Sequence, residues 1–361
     1  MIIRAIYIII LLSPVFSKNC DFCNSKIEGQ YLVLGNKEYH EKCYKQNIIP
    51  KCAICKKSLE GQYVVHKGKE YHEDCYNTNV LPKCGFCNKT LYNQYIVHEN
   101  QNYHDNCYKN NILPKCSVCN HPLETKYMID SWSNQYHEAH ESETGNCNSC
   151  GRIISKKTSN SGYKLSDNRL VCGICMQTKI ETSKQIEDAR DYVLKLLDKY
   201  NLNNFPNDVP IELKNRKQLS KLRGRESSEI RGFTYYNYLY DSRSGNVDES
   251  SKTFKIYILD NLPELEFKSV LAHEYLHVWL HVNNLDYHSN ITEGFCNLAA
   301  ALVYQDNIDD RFSEINLDRM LKNTDPDYGE GYRRIKSCLD KHGWRSLIKR
   351  MKKNNLSCFY K

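Results

Sequence analysis

The sequence predicts a multidomain chain: an N-terminal array of small zinc knuckles built on short β-hairpins, followed by an α+β domain with a conventional core. Three observations carry this. Fifteen of the 18 Cys lie between Cys20 and Cys175, nearly all in C-x-x-C or H-x-x-C pairs. The clusters recur, with Cys20, Cys52, Cys84, Cys116 and Cys147 separated by 32, 32, 32 and 31 residues, as repeated structural units are. After Cys175 the composition changes and helical periodicity takes over. At 361 residues there is length for two or more domains. The net charge of +7 is spread through Lys-rich loops without a basic, aromatic-interleaved cluster, so nothing points to a nucleic-acid partner.

Residues 1–17 read as a secretory signal. One positive charge at Arg4 precedes an apolar run from Ala5 to Val15, and Val15 and Ser17 suit a cut after Ser17. The run is short for a bilayer span, and Cys20 lacks the small-residue context of a lipoprotein signal. No stable membrane anchor is expected. Export, secreted or periplasmic, is the expectation, with a cytoplasmic chain as the alternative. An oxidising compartment favours disulfides over zinc thiolates, and ligand spacing decides that conflict.

Residues 18–115 hold three tandem knuckles. Each reads C-x2-C, sixteen residues, H-x2-C, then eight residues to the next unit. The ligand sets are Cys20, Cys23, His40 and Cys43; Cys52, Cys55, His72 and Cys75; and Cys84, Cys87, His104 and Cys107. Residues 116–178 hold a pair: Cys116, Cys119, His137 and His140, then Cys147, Cys150, Cys172 and Cys175. Four N or S ligands per unit satisfy a closed tetrahedral zinc, so about five structural Zn²⁺ are expected. A disulfide framework explains neither the His three residues before each third Cys nor an odd total. Units this short bury too little apolar surface to fold alone, so the metal must supply much of their stability. Alternating Tyr, Val and His before a loop predicts two strands framing each metal. His66, His98 and His121 fall outside the ligand spacing and read as surface or strand histidines. Closed sites do no chemistry, so the array is expected to present a Tyr-rich surface to a protein partner or substrate; the alternative is a passive spacer.

Residues 183–361 form the second domain. Thr178–Lys184 is a polar linker, and Ile186, Ala189, Val193, Leu196, Leu197 and Tyr200 follow helical spacing up to Pro206 and Pro210. Ile211–Leu213 suits a short strand before a charged stretch, 214–225. Phe233–Tyr240 and Thr253–Leu259 alternate as strands, with a loop-like Asp241–Lys252 between them, which suggests a hairpin. From Pro263 the chain reads as mostly helical. Thr253–Leu259 is expected to be an edge strand able to hold an extended peptide by strand addition.

The chemistry concentrates in His273-Glu274-Tyr275-Leu276-His277, followed after fifteen residues by Glu293 in T-E-G-F. Two His four apart share one helix face, since a helix advances about 100° per residue. They can bind one Zn²⁺, with Glu274 beside them and a third ligand from a second helix. That ligand is expected to be Glu293; Asp286 is its rival, and His281, one turn further on, is set aside. Such a zinc lowers the pKa of its bound water to about 7, and Glu274 would act as general base and then proton donor to the leaving amine. Tyr328 and Tyr332 are candidates for oxyanion stabilisation, with helix packing as their plain alternative. Cys296 reads as a small buried hydrophobe; Cys338 and Cys358 carry no assignment.

The chain resembles the plant LIM-domain, ubiquitin-activated peptidases that limit organ growth, and their bacterial relatives. The likeness rests on L-A-H-E-x-x-H-x-W-L at Leu271–Leu280, E-G-x-C at Glu293–Cys296, D-P-D-Y-G-E-G-Y-R at Asp325–Arg333 and the K-C-x-x-C opening at Lys115–Cys119. It spans roughly residues 84–353, and the Glu293 block also resembles the third-ligand helix of gluzincin peptidases. The resemblance implies LIM-like knuckles, a zincin-like metallopeptidase domain and endopeptidase activity. The knuckles of a usual LIM domain are fused by a two-residue spacer, against eight residues between the first units here. The ubiquitin-interacting helices of the plant members have no counterpart at the N-terminus, so ubiquitin regulation is not carried over. The alternative function is a zinc-dependent adaptor with an inactive peptidase lobe.

Overall fold

The computed structural model describes residues 2–5, 9–11, 18–224, 230–241, 246–355 and 357–359. It divides into two compact units, 1–114 and 115–361. None of the described helices is long and apolar enough to cross a membrane.

In the first unit each knuckle follows one plan. A C-x-x-C turn is closed by a left-handed residue after its second Cys: Asn24, Lys56 and Asn88, with φ of 60°, 63° and 58°. A hairpin follows, at Tyr31–Leu34/Lys37–His40, Gln62–His66/Lys69–Tyr71 and Ile96–His98/Gln101–Tyr103. In the second and third hairpins both turn residues take positive φ (Lys67 and Gly68; Glu99 and Asn100), the mirror-image turn that matches strand twist. The second and third hairpins lead into one-helix caps at Glu73–Asn79 and Asp105–Asn111. The cores are small: Cys20, Ile27, Tyr31, Leu32, Tyr39, Tyr44 and Ile49 make up the first. Apolar burial on that scale does not hold a fold together without cross-links. Of the segment expected to be a signal, Ile2–Ala5 and Ile9–Leu11 are strands pairing antiparallel with the second and first hairpins. Residues 12–17, with the expected cut site, lie outside the described residues.

The second unit contains the last two knuckles and the α+β lobe. The lobe elements are α1 (Ser183–Asp198), β1 (Ile211–Lys214), α2 (Arg216–Arg223), β2 (Gly232–Asp241), β3 (Asn246–Leu259), α3 (Glu264–Val282), α4 (Ser289–Asp306), α5 (Arg311–Lys322) and α6 (Gly331–Lys352). α1 opens on a capping box of Thr182 and Gln185. The sheet order is β1-β3-β2, with β1 parallel and β2 antiparallel to β3. Two expectations are corrected here. Thr253–Leu259 lies in the central strand, and the edges are β1 and β2. The stretch from Asp241 to Lys252 is not loop throughout, since the hairpin register continues to Asp241↔Asn246. Within the charged stretch, where the sequence predicts no element, Arg216–Arg223 folds as α2, held by a capping box of Asn215 and Gln218 and by buried Leu219.

The core lies between the sheet and α1, α3, α4 and α6, around Phe267, Leu271, Tyr275, Leu276, Trp279, Phe295 and Leu347. α4 and the start of α6 touch through glycines: a Cβ on Gly294 would sit 2.4 Å from the Gly331 carbonyl carbon. Cys338 and Cys358 form a disulfide.

The fifth knuckle is clamped to the lobe. Arg319 of α5 donates to Ser149 O (3.0 Å) and Cys150 O (2.8 Å), and Trp132 Nε1 also donates to Cys150 O (2.9 Å). Gly151 makes this approach possible, because a Cβ there would stand 1.8 Å from Arg319 Nη2. Arg169, in the knuckle's hairpin, is buried against Asp167 and reaches Asp260 at the start of α3's approach. Burial pushes the Asp167 carboxyl up, but the Arg216 N–H and the Arg169 guanidinium outweigh it and hold Asp167 below its usual value. Val171, Ile154, Tyr304 and Phe312 fill the space beneath.

Candidate metal centres

The five knuckle sets each bring four ligand atoms within 4.8 Å of one another. Their spacings match a tetrahedral ion. Zinc bonds of about 2.3 Å to sulfur and 2.0–2.1 Å to nitrogen put two sulfurs about 3.8 Å apart, and sulfur and nitrogen about 3.5 Å. Cys150 and Cys172 sulfurs are 3.7 Å apart. The Nδ1 atoms of His40, His72, His104 and His137 lie 3.4, 3.4, 3.4 and 3.5 Å from the sulfurs of Cys23, Cys55, Cys87 and Cys119. Nε2 of His40, His72 and His137 faces a backbone carbonyl, which fixes the ring and leaves Nδ1 for the metal. His140 is turned the other way: Nδ1 meets Glu143 at 2.9 Å, and its buried Nε2 has no partner among the described residues. That orphaned nitrogen belongs to the Cys116, Cys119 and His137 set. Burial pushes the thiols of Cys20, Cys52, Cys84 and Cys116 up, but backbone N–H donors outweigh it and bring each down to about 6. They favour thiolate, the form that binds metal. The array is therefore zinc-binding, with zinc as a structural cofactor.

The second constellation lies where α3 and α4 cross. His273 Nε2 is 3.2 Å from His277 Nε2 and 3.1 Å from Glu293 Oε2, which is 3.6 Å from His277 Nε2. Two N or O ligands of one tetrahedral zinc stand about 3.3 Å apart, so the three atoms fit a single ion. Burial would depress His273, but Glu293 raises it above its ordinary value. Burial pushes Glu293 up, yet the two imidazoles hold it well below the carboxylate range. Glu274 is buried beside them, its Oε2 accepting from Thr234 Oγ1 at 2.7 Å. A Cβ on Gly232 would come within 2.4 Å of Glu274 Oε1, so β2 passes close only because that position is glycine. His281 is not in this cluster; it packs on Tyr236, ring centroids 3.7 Å apart.

The two tyrosines separate. Tyr328, in the π-helical turn Pro326–Glu330, stacks on His273 with ring centroids 6.1 Å apart. Burial, and after it the nearby Glu293, push its hydroxyl above the ordinary value. Tyr332, whose plain alternative is helix packing, lines a cavity of about 260 Å³ with Leu298, Ala301, Leu339 and Trp344. Four residues apart would mean one face in an α-helix, but the π turn between them breaks that relation. Cys296 is buried, and burial pushes its thiol up.

Sequence reading missed three residues at this site. Asn297 meets His273 Nδ1 at 2.9 Å and donates to Tyr328 O at 2.8 Å. Its position one turn after Glu293 was the available signal. Thr234 and Arg223 come from β2 and α2 and carried none.

Compared with known families, residues 20–80 match the LIM domain, spanning the first two knuckles and the eight residues between them. The chain is similar to Protein DA1 of Arabidopsis thaliana, 26% identical over 195 residues. That likeness covers 47% of this chain and 36% of the plant protein, so the chain spans well under two thirds of its relative's length.

Proposed function

We propose that the α+β lobe is a zincin-like, zinc-dependent endopeptidase, and that the knuckle array recruits or regulates its protein substrates. The observation that carries this is the meeting of His273, His277 and Glu293 at one-ion spacing with Glu274 buried beside them. His273, His277 and Glu293 would hold a zinc ion, which would lower the pKa of a water and polarise the scissile carbonyl. Glu274, oriented by Thr234, takes the proton of the attacking water and returns it to the leaving amine. Asn297 holds the His273 ring with Nε2 toward His277 and Glu293. Tyr328 donates to the oxygen that becomes negative. The β2 edge, next to Glu274, lays an extended peptide across the site by strand addition. The LIM match and the likeness to Protein DA1 support a zinc-dependent regulator of that type.

Export is part of the proposal, supported by the leader-like composition of residues 1–17 and by the Cys338–Cys358 disulfide, a bond at home in oxidising compartments. An N-terminus at Lys18 on protein recovered outside the cytoplasm is the expected result.

The test is metal content and turnover together. The wild type should hold six zinc ions and His273→Ala/His277→Ala five, matching the six clusters found among the described residues. Glu274→Gln should keep six and lose cleavage of a denatured-protein substrate. Five ions in both chains would leave the knuckles as they are and turn the reading to the zinc-dependent adaptor.

A further inference from the structure

We propose that Arg223 is a positioning residue of the lobe, donating to Tyr328 Oη so that the phenol's own hydrogen is left to face the developing oxyanion. The proposal rests on the peptidase reading above. Arg223 Nη2 lies 3.4 Å from Tyr328 Oη. A guanidinium has donors only, whereas a phenol has one hydrogen to give and an oxygen that accepts. With an Arg N–H on that oxygen, the phenol's hydrogen must turn elsewhere. Tyr328 in turn stacks on the His273 ring, centroids 6.1 Å apart, so the pair stands beside a residue of the proposed metal set.

Each partner is held from its own side. Helix α2, which carries Arg223 in its last turn, starts on its Asn215–Gln218 capping box and ends on left-handed Gly224. Its first N–H, on Arg216, is held by Asp167 Oδ2 of the fifth knuckle at 3.1 Å, and buried Leu219 seats its middle. Tyr328 is fixed by Asp325 Oδ1, which accepts from its N–H at 2.9 Å, and by Asn297, which donates to its carbonyl. Two elements far apart in sequence thus bring a donor and an acceptor to one point beside the His273 ring. The planar fork of arginine suits such a fixed meeting better than a mobile ammonium.

The test is a double-mutant cycle on the zinc-loaded full chain, reading calorimetric binding of an N-acyl phosphinic dipeptide, a tetrahedral anion that reports on oxyanion donors without turnover. Arg223→Ala and Tyr328→Phe should each weaken binding roughly tenfold. The double variant should match Tyr328→Phe within about twofold, because one residue acts through the other. Arg223→Lys should recover part of the loss. Additive losses would show that Arg223 meets the anion by itself and overturn the proposal, as would unchanged binding in Arg223→Ala. A wild type that holds all its zinc yet does not bind the probe overturns it too. Absence of zinc from His273 and His277 in the wild type would instead remove the peptidase reading, and with it the premise. Zinc content and circular dichroism check each variant, and Arg223→Gln runs the same cycle if Arg223→Ala misfolds.

Discussion

Asn297 Oδ1 stands 2.9 Å from His273 Nδ1. The contact sets the tautomer: a hydrogen on Nδ1 leaves the Nε2 lone pair facing His277 and Glu293. Since the Asn297 amide nitrogen also donates to Tyr328 O, one side chain joins a metal-ligand candidate to the oxyanion candidate.

Asn297→Ala should therefore weaken zinc at this site by about 10–100-fold, the usual cost of losing a partner of a ligating His. Asn297→Asp keeps the acceptor but loses the donor to Tyr328, so zinc should stay while turnover falls. Competition with a chelator of known affinity reads the first effect. Equal zinc affinity in wild type and Asn297→Ala would sink the orienting role.

The fifth knuckle should behave as part of the lobe. Arg169→Ala leaves Asp167 buried without its guanidinium, a break that costs roughly 3–5 kcal/mol. Calorimetry should show the main lobe transition falling sharply. Lys184→Ala, which removes an exposed pair with Asp188, should leave the transition almost where it is, because a solvent-exposed pair is screened. Equal melting of both variants would mean that the clamp contributes nothing.

Much of this was legible because periodicity and ligand spacing are local. The 32-residue repeat marked the knuckles, and the four-residue spacing of His273 and His277 marked their shared face. What escaped depends on tertiary context. Helix α2 has one buried apolar residue and so shows no periodic stripe; its evidence lies in caps. Strand order was misjudged because alternation tells which face is buried and not which neighbour a strand has. Tyr328 and Tyr332 looked equivalent until the π turn sent them to different places. Cys338 and Cys358, twenty residues apart, carry no spacing signal for a disulfide.

One departure within the repeat makes its own prediction. Tyr76 Oη and Tyr108 Oη lie 3.2 and 3.3 Å from Nδ1 of His66 and His98. In the first knuckle Leu34 stands at the matching position, and the buried Tyr44 hydroxyl has no partner among the described residues. Tyr76→Phe should cost about 1 kcal/mol, whereas Tyr44→Phe should be neutral or stabilising, since it removes an unsatisfied buried group. Hydrogen exchange through residues 31–44 and 63–76 of the zinc-loaded chain separates the two cases. Equal losses of protection would mean that the His partners contribute nothing.

His281 supplies the pH prediction. Burial, with help from His277 and Lys252 and against the pull of Asp286, brings its pKa from 6.5 down to about 4. The folded chain therefore keeps His281 neutral where the unfolded chain would protonate it. The native state binds fewer protons, so this contribution to stability is complete above about pH 6.5 and is lost as pH falls through about 4. Replacing His281 with Phe keeps a ring against Tyr236 and removes the titration. Acid release of knuckle zinc is common to both chains, so the difference between them isolates this residue. The melting temperature of His281→Phe should gain on the wild type as pH drops from 6.5 toward 4, and its zinc content should be unchanged because His281 lies outside the His273, His277 and Glu293 cluster. A constant difference across that range would show that the ring titrates normally, and a lost zinc would make His281 a ligand.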